Sequence, residues 1–206
     1  MREIKTLLTA ITLLFITSIY SQESNKLFDP EHWTEHNCKA SFEEGVIHIE
    51  NTGGTALLWL DGVDFGNGTI ELDIKGNDKV SFLGLAFHGL DNENYDAVYF
   101  RPFNFKSKEK SGNAIQYIAA PDNDWNILRE KFPGKYENAI DPIPDPNSWF
   151  HARIVIDFPE VKVYVDHAGK ATLAVKQISK RKSGKLGLWV DSDDGRFKNL
   201  SIVKNK

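Results

Sequence analysis

Residues 81–105 read SFLGLAFHGLDNENYDAVYFRPFNF, two alternating runs joined by a polar turn rich in Asp and Asn, the pattern of a β-hairpin. In the first run Leu83, Leu85 and Phe87 share one face, with Phe82, Gly84, Ala86 and His88 on the other. In the second, Val98 and Phe100 share a face, and Tyr95, Ala97, Tyr99, Arg101 and Phe103 take the opposite one. One side is uniformly apolar, as a sheet packed on a core must be. The other mixes small residues with aromatics, a His and an Arg, so it offers space bounded by groups able to contact a guest. That side is expected to be the floor of a binding groove.

On both sides of the hairpin the same period of two continues. FEEGVIHIE (42–50) reads as a strand, Asn51–Gly54 as a turn, Ala56–Leu60 as an extended piece, and TIELDIK (69–75) as a strand with Ile70, Leu72 and Ile74 inward. Ala114–Ala119 is a further strand, with Gln116 between Ile115 and Tyr117. After a segment from Pro121 to Pro146, alternation returns in a hairpin spanning 149–166 and in strands over 171–178, 185–190 and 197–203. The 121–146 segment contains Pro121, Pro133, Pro142, Pro144 and Pro146 and cannot be a central strand; WNILREK (125–131) has room for at most two helical turns. Short strands, Gly/Asn/Asp turns and the absence of an ordinary-length helix predict an all-β fold, an antiparallel jelly-roll β-sandwich with one long Pro-rich excursion.

The chain has 206 residues, 41% of them hydrophobic and 12% aromatic, enough for one core and one domain. Residues 1–21 form a separate feature: Arg2 and Lys5 precede a nearly continuous apolar run over 6–20, and Ser21 supplies a small residue for cleavage. This reads as a secretory signal, too short for a comfortable membrane span, which leaves 22–206 as a single exported domain, secreted or periplasmic. Removing it takes away Arg2, Lys5 and Glu3 and leaves 23 basic against 28 acidic residues. Mild acidity argues against nucleic acid or an anionic bilayer as partner and is neutral toward uncharged sugars. Cys38 is the one cysteine, so no intramolecular disulfide holds the domain, and it is expected to be a small buried residue.

The order of motifs, LFDPEHW at the start, then GTIELDIKG, FLGLAFHG, DNENYDAVYFRPF, AIQYIA, WFHARIVID, VKVYVD and GKLGLWVDSDDGRFKNLSI, resembles the concanavalin A-like lectin/glucanase superfold in its laminin-G-like and 3-keto-disaccharide hydrolase-like branches. The resemblance covers about Leu27 to Val203. It implies two curved sheets with ligands on the concave face or its rim, commonly carbohydrate, and sometimes calcium near the site. Glu71, Asp73 and Lys75 resemble the E-x-D-x-E strand of retaining glucanases in this superfold, with Lys75 where the second catalytic Glu would stand. A lysine cannot protonate a leaving glycosidic oxygen in the usual way, and a solvated strand face explains the same alternation.

The candidate ligand-binding residues are Arg101, Tyr99, Gln116, His88 and Tyr95 around the hairpin, with Trp125 and Tyr136 in the excursion. A guanidinium can fork onto sugar hydroxyls or a carboxylate, and an aromatic face stacks on pyranose C–H groups. Their structural alternatives are an ion pair for Arg101 and anchoring of the excursion for Trp125 and Tyr136. Candidates for acid–base chemistry are His88, Glu71, Asp73 and His151. Asp91, Asn92 and Asp96 offer hard oxygen ligands for calcium, although Asp and Asn also dominate ordinary turns; no cofactor is required by the sequence. The second Asp-rich loop (Asp191, Asp193, Asp194) reads as solvated. The expected function is carbohydrate binding by an exported sandwich, with an oligo- or polysaccharide as partner. The alternatives are a glycoside hydrolase of the 3-keto-disaccharide hydrolase-like type and a non-catalytic adhesion or envelope protein.

Overall fold

The computed structural model of the chain describes residues 26–77 and 79–205. Two seven-stranded sheets pack as a sandwich. The first has the spatial order β1 (Trp33–His36), β4 (Ala56–Phe65), β13 (Gly184–Asp191), β6 (Phe82–Gly89), β7 (Asp96–Phe100), β8 (Ile115–Ala119) and β9 (Glu137–Asn138). The second runs β12 (Leu173–Lys176), β11 (Glu160–Val165), β10 (Trp149–Asp157), β5 (Gly68–Lys75), β14 (Gly195–Lys204), β3 (Val46–Asn51) and β2 (Cys38–Glu43). Neighbouring strands are antiparallel throughout. The fold is the expected all-β jelly-roll sandwich.

Registers follow the period of two. Leu85 sits opposite Val98 on one side and Leu188 on the other, and Val98 faces Tyr117, so one rung of the first sheet drives its side chains into the core. Ile70, Leu72 and Ile74 of β5 and Phe150, Ala152 and Ile154 of β10 form the facing wall, all buried. The two walls meet where Phe100 packs edge-on against Phe150, with ring centroids 5.1 Å apart. Cys38 is buried, and desolvation holds its thiol above its usual pKa.

One local expectation is corrected. Residues 42–50 are not one strand: Glu44 and Gly45 take left-handed backbone (φ 51° and 75°), so the chain reverses between β2 and β3. The Pro-rich excursion contributes no central strand, as expected. Its helix α1 (Trp125–Lys131) has the two turns the sequence has room for, and β9 pairs with β8 to extend the first sheet. The leader expected over residues 1–21 lies outside the described residues. Among the described residues, no helix is long and apolar enough to cross a membrane.

Candidate functional site

Across the outer face of the first sheet, glycines and large aromatics occupy adjacent places. Gly84 pairs with Trp189 on one side and Tyr99 on the other. With no side chain between them, the two rings stack over the strand, 4.6 Å apart and 21° from parallel. A Cβ at Gly84 would lie 2.8 Å from Tyr99 Cβ and 2.1 Å from the Val98 carbonyl oxygen. One rung along, Gly187 pairs with Trp59, and a Cβ there would come within 2.7 Å of the indole; one at Gly89 would come within 2.6 Å of its far edge. The space left by small residues is thus filled by the protein's own rings, which form the floor a guest would meet.

Hydrogen bonds fix these rings. The Trp189 indole N–H donates to Tyr95 Oη (3.2 Å) and the Trp59 N–H to Asn92 Oδ1 (2.8 Å). Phe82 packs edge-on against Tyr99 at 5.9 Å. Burial raises the phenol pKa of both Tyr95 and Tyr99, so each stays a neutral hydroxyl.

Above the floor opens a cleft of about 360 Å³ lined by Phe82, Tyr95, Tyr99, Trp125 and Trp189 together with Glu93, Asp124, Asp191 and Thr55. The excursion supplies one wall. Asp124 caps α1 by accepting from the Trp125 N–H at 2.6 Å, and Trp125 is left 43% exposed, unusual for so large an apolar ring. The Arg129 guanidinium rests against that ring at 4.9 Å while paired with Glu137 of β9, Nη2 to Oε2 at 2.6 Å. This bidentate pair steadies the indole from outside the cleft. Asp191, at the end of β13, accepts from Thr55 Oγ1 (3.0 Å) and Ser192 Oγ (2.7 Å). Glu93 stands exposed in the β6–β7 turn.

Of the sequence-predicted ligand residues, Tyr95, Tyr99 and Trp125 line the cleft. Arg101 does not. It is 4% exposed, and its guanidinium rests against the rings of Tyr99 and Phe82, 4.9 and 5.6 Å from their centroids. It donates to Tyr99 Oη and to the Asn113 carbonyl, both at 2.8 Å, with Gln116 Oε1 at 3.5 Å. All three partners are neutral, and desolvation holds its pKa below the usual arginine value. Arg101 therefore positions Tyr99 and has no open face for a ligand. Gln116 is likewise buried, its amide donating to the carbonyls of Tyr117 and Tyr136. Tyr136 is buried against Tyr117 and Phe132 and anchors the excursion.

His88 leaves the groove face altogether. A register irregularity between β13 and β6 and its positive φ of 51° break the alternation, and the fully buried imidazole meets the Gly66 carbonyl (2.9 Å) and the Gln177 amide (3.2 Å). Glu71, Asp73 and His151 do come together, but on the outer face of the second sheet, away from the cleft. His151 Nδ1 lies 2.9 Å from Asp73 Oδ1 and Nε2 lies 3.2 Å from Glu71 Oε2. Asn199 also donates to Asp73, and His167 stacks on His151 at 4.2 Å.

The proposed calcium ligands are separated from one another. Asp91 accepts from the Glu93 and Asn94 backbone N–H groups and the Asn94 side chain, closing an Asx turn. Asn92 holds Trp59. Asp96 is fully buried on the core side, bonded to Tyr117 Oη, to Ser179 Oγ (2.8 Å) and to Arg181 Nε (2.9 Å). Burial, then the Asp96 charge, push the Tyr117 phenol far above its ordinary pKa. This network pins the segment before β13 under the sheet. Among the described residues, no group of three His, Cys, Asp or Glu side chains is arranged to hold a metal ion.

Trp189, Phe82, Glu93, Asp124, Asp191 and Thr55 were not among the sequence candidates. A signal existed for Trp189, because Gly187 and Trp189 alternate within GKLGLWV as Gly84 and Ala86 do within FLGLAF.

A family model described as the 3-keto-alpha-glucoside-1,2-lyase-like domain matches residues 23–203. Among curated proteins none matches the chain. Among solved structures, a carbohydrate-binding module, CBM66, from Bacillus subtilis superposes with a TM-score of 0.60 at 16% identity, covering 84% of this chain and 96% of that one. A native glycosidic hydrolase gives 0.57 at 14% identity, covering 86% and 92%. The β-glucanase of Bacillus licheniformis gives 0.55 at 14% identity, covering 84% and 92%. At these identities the likeness establishes the concanavalin A-like fold.

Proposed function

We propose that this chain, which belongs to the 3-keto-alpha-glucoside-1,2-lyase-like domain family, is an exported protein that binds an oligo- or polysaccharide in the aromatic cleft of its first sheet. The observation that carries this reading is the half-exposed Trp125 beside the Tyr99–Trp189 stack, with hydrogen-bonding carboxylates at the rim. Sugar rings present apolar C–H faces and a girdle of hydroxyls, and a cleft that alternates aromatic faces with acceptors meets both. The carbohydrate-binding module with the same fold supports it. Export rests on the leader at residues 1–21. No cofactor is needed for stacking and hydrogen bonding, so binding is expected with and without calcium. The test is a glycan array probed with the wild type and with Trp125→Ala, each with calcium and with a chelator. Binding that weakens about two- to tenfold in the variant supports the reading, since one aromatic stacking contact is worth roughly 0.5–1.5 kcal/mol; binding unaffected by the substitution refutes it.

A second, enzymatic reading is favoured by Glu93, Asp124 and Asp191 sharing the cleft, because a carboxylate there can take a proton from a bound sugar or activate water. Incubation with a 3-keto-disaccharide, followed by chromatography of released monosaccharide, tests it. Release lost in Asp191→Asn supports catalysis, and an intact substrate at enzyme excess rejects it.

A further inference from the structure

We propose that the cleft selects glycans carrying protonated amino groups, such as glucosamine-containing chains, over their neutral and acidic counterparts. This rests on the reading of the cleft as a glycan site and concerns which sugars it takes.

Two independent features of the lining point the same way. The first is the aromatic lining: Phe82, Tyr95, Tyr99, Trp125 and Trp189 border one space of about 360 Å³. The π face of an aromatic ring carries negative electrostatic potential and attracts an ammonium group, and several rings around one space are how proteins hold such cations. The second is the sign of the charge. Three carboxylates line the cleft, and among the described residues no Lys, Arg or His does. The guanidiniums that touch lining residues already have partners: Arg101 lies against Tyr99 and Phe82, Arg129 against Trp125, and Arg181 donates to the Tyr95 carbonyl while paired with Asp96. Arg101 is buried and donates to Tyr99 and Asn113, and Arg129 is paired with Glu137. A uronate or sulfate brought into this space would meet three like charges and no donor cation. An ammonium would meet rings and carboxylates together.

The carboxylates are held individually, Asp124 by the α1 N-terminus and Asp191 by Thr55 and Ser192, while Glu93 is exposed. They are spread around the wall of a sugar-sized space, so the charge complementarity is directed at a ligand that fills the cleft and bears its charge on the ring substituent.

The test is isothermal titration calorimetry of the mature protein with three tetrasaccharides: glucosamine, its N-acetylated form, and galacturonate. Cation–π and partly exposed ionic contacts together give an expected preference of about tenfold for glucosamine over the N-acetylated chain, shrinking in 1 M salt as exposed charges are screened. Galacturonate is expected not to bind. Glu93→Gln, at an exposed turn position where folding is not at risk, is expected to narrow the preference to roughly threefold. Equal affinity for the amino and N-acetylated chains, or preference for galacturonate, overturns the charge selection and leaves the glycan site standing. Binding of none of the three, nor of any array glycan, overturns both.

Discussion

Replacing Arg101 by Ala separates a positioning residue from a ligand contact. In the folded protein its guanidinium makes two hydrogen bonds of 2.8 Å and lies against two rings. Truncation leaves the Asn113 carbonyl and Tyr99 hydroxyl without their donor, at roughly 1–3 kcal/mol for each buried group left unpaired. It also opens a cavity, which adds to the cost. Against this, a buried cation with no carboxylate partner is released from its desolvation penalty, which after relaxation is still several kcal/mol and offsets part of the loss. The net expectation is a loss of about 2–3 kcal/mol, a fall of roughly 4–12 °C in melting temperature for a domain of this size. Arg101→Met, which keeps the volume and drops the charge, should lose less than Arg101→Ala. Glycan affinity should fall in both only as far as Tyr99 loses its orientation, about threefold to tenfold by loss of part of one stacking contact. Thermal melts and calorimetry on the same preparations check this. An unchanged melting temperature with binding abolished would refute the reasoning, because it would mean that the guanidinium meets the ligand directly.

Asp96→Asn breaks a buried ion pair with Arg181 and is expected to cost about 3–5 kcal/mol; urea denaturation checks it, and a cost under about 1 kcal/mol would mean the pair is solvated. Gly187→Ala puts a methyl 2.7 Å from the Trp59 ring and 2.6 Å from the Leu58 carbonyl oxygen, so it should destabilise by roughly 1–3 kcal/mol through overpacking and alter tryptophan fluorescence; an unperturbed spectrum would contradict the flat placement of Trp59. The Asn94 side chain and two backbone N–H groups hold the Asp91 carboxyl below its usual 3.8. A depressed folded-state pKa gives stability that is complete above 3.8 and lost as pH falls through the folded value. The Asn94 side-chain amide resonances should therefore hold steady above that pH and shift only below it, and a transition at pH 5–6 would contradict this.

The architecture was legible because burial on one face imposes a period of two, and Leu83, Leu85, Val98 and Phe100 kept it without interruption. The same logic put Tyr95 and Tyr99 on the face that carries the cleft. It failed at His88, where a bulge and a left-handed backbone turn the side chain off the groove face, a feature with no marker in the local pattern. It also failed for Arg101 and Gln116, because alternation gives the face of a sheet but not what covers it; Asn113 and the excursion bury both. Asp96 was assigned to the turn because its partners, Ser179 and Arg181, lie more than eighty residues away in sequence. Glu93 comes from the β6–β7 turn, Asp124 from the excursion and Asp191 from the end of β13, and they converge only once the first sheet is paired.

The five tryptophans provide the most direct measurement of where a ligand sits. Their indole N–H signals can be followed by NMR during titration with a glycan taken from the array. Trp125 and Trp189 line the cleft, Trp59 packs edge-on against Tyr95, and Trp149 is on the outer face of the second sheet. Glycan binding is expected to shift Trp125 and Trp189 strongly and leave Trp149 in place. Shifts confined to Trp149, or to none of the indoles at saturating ligand, would contradict the assignment of the cleft.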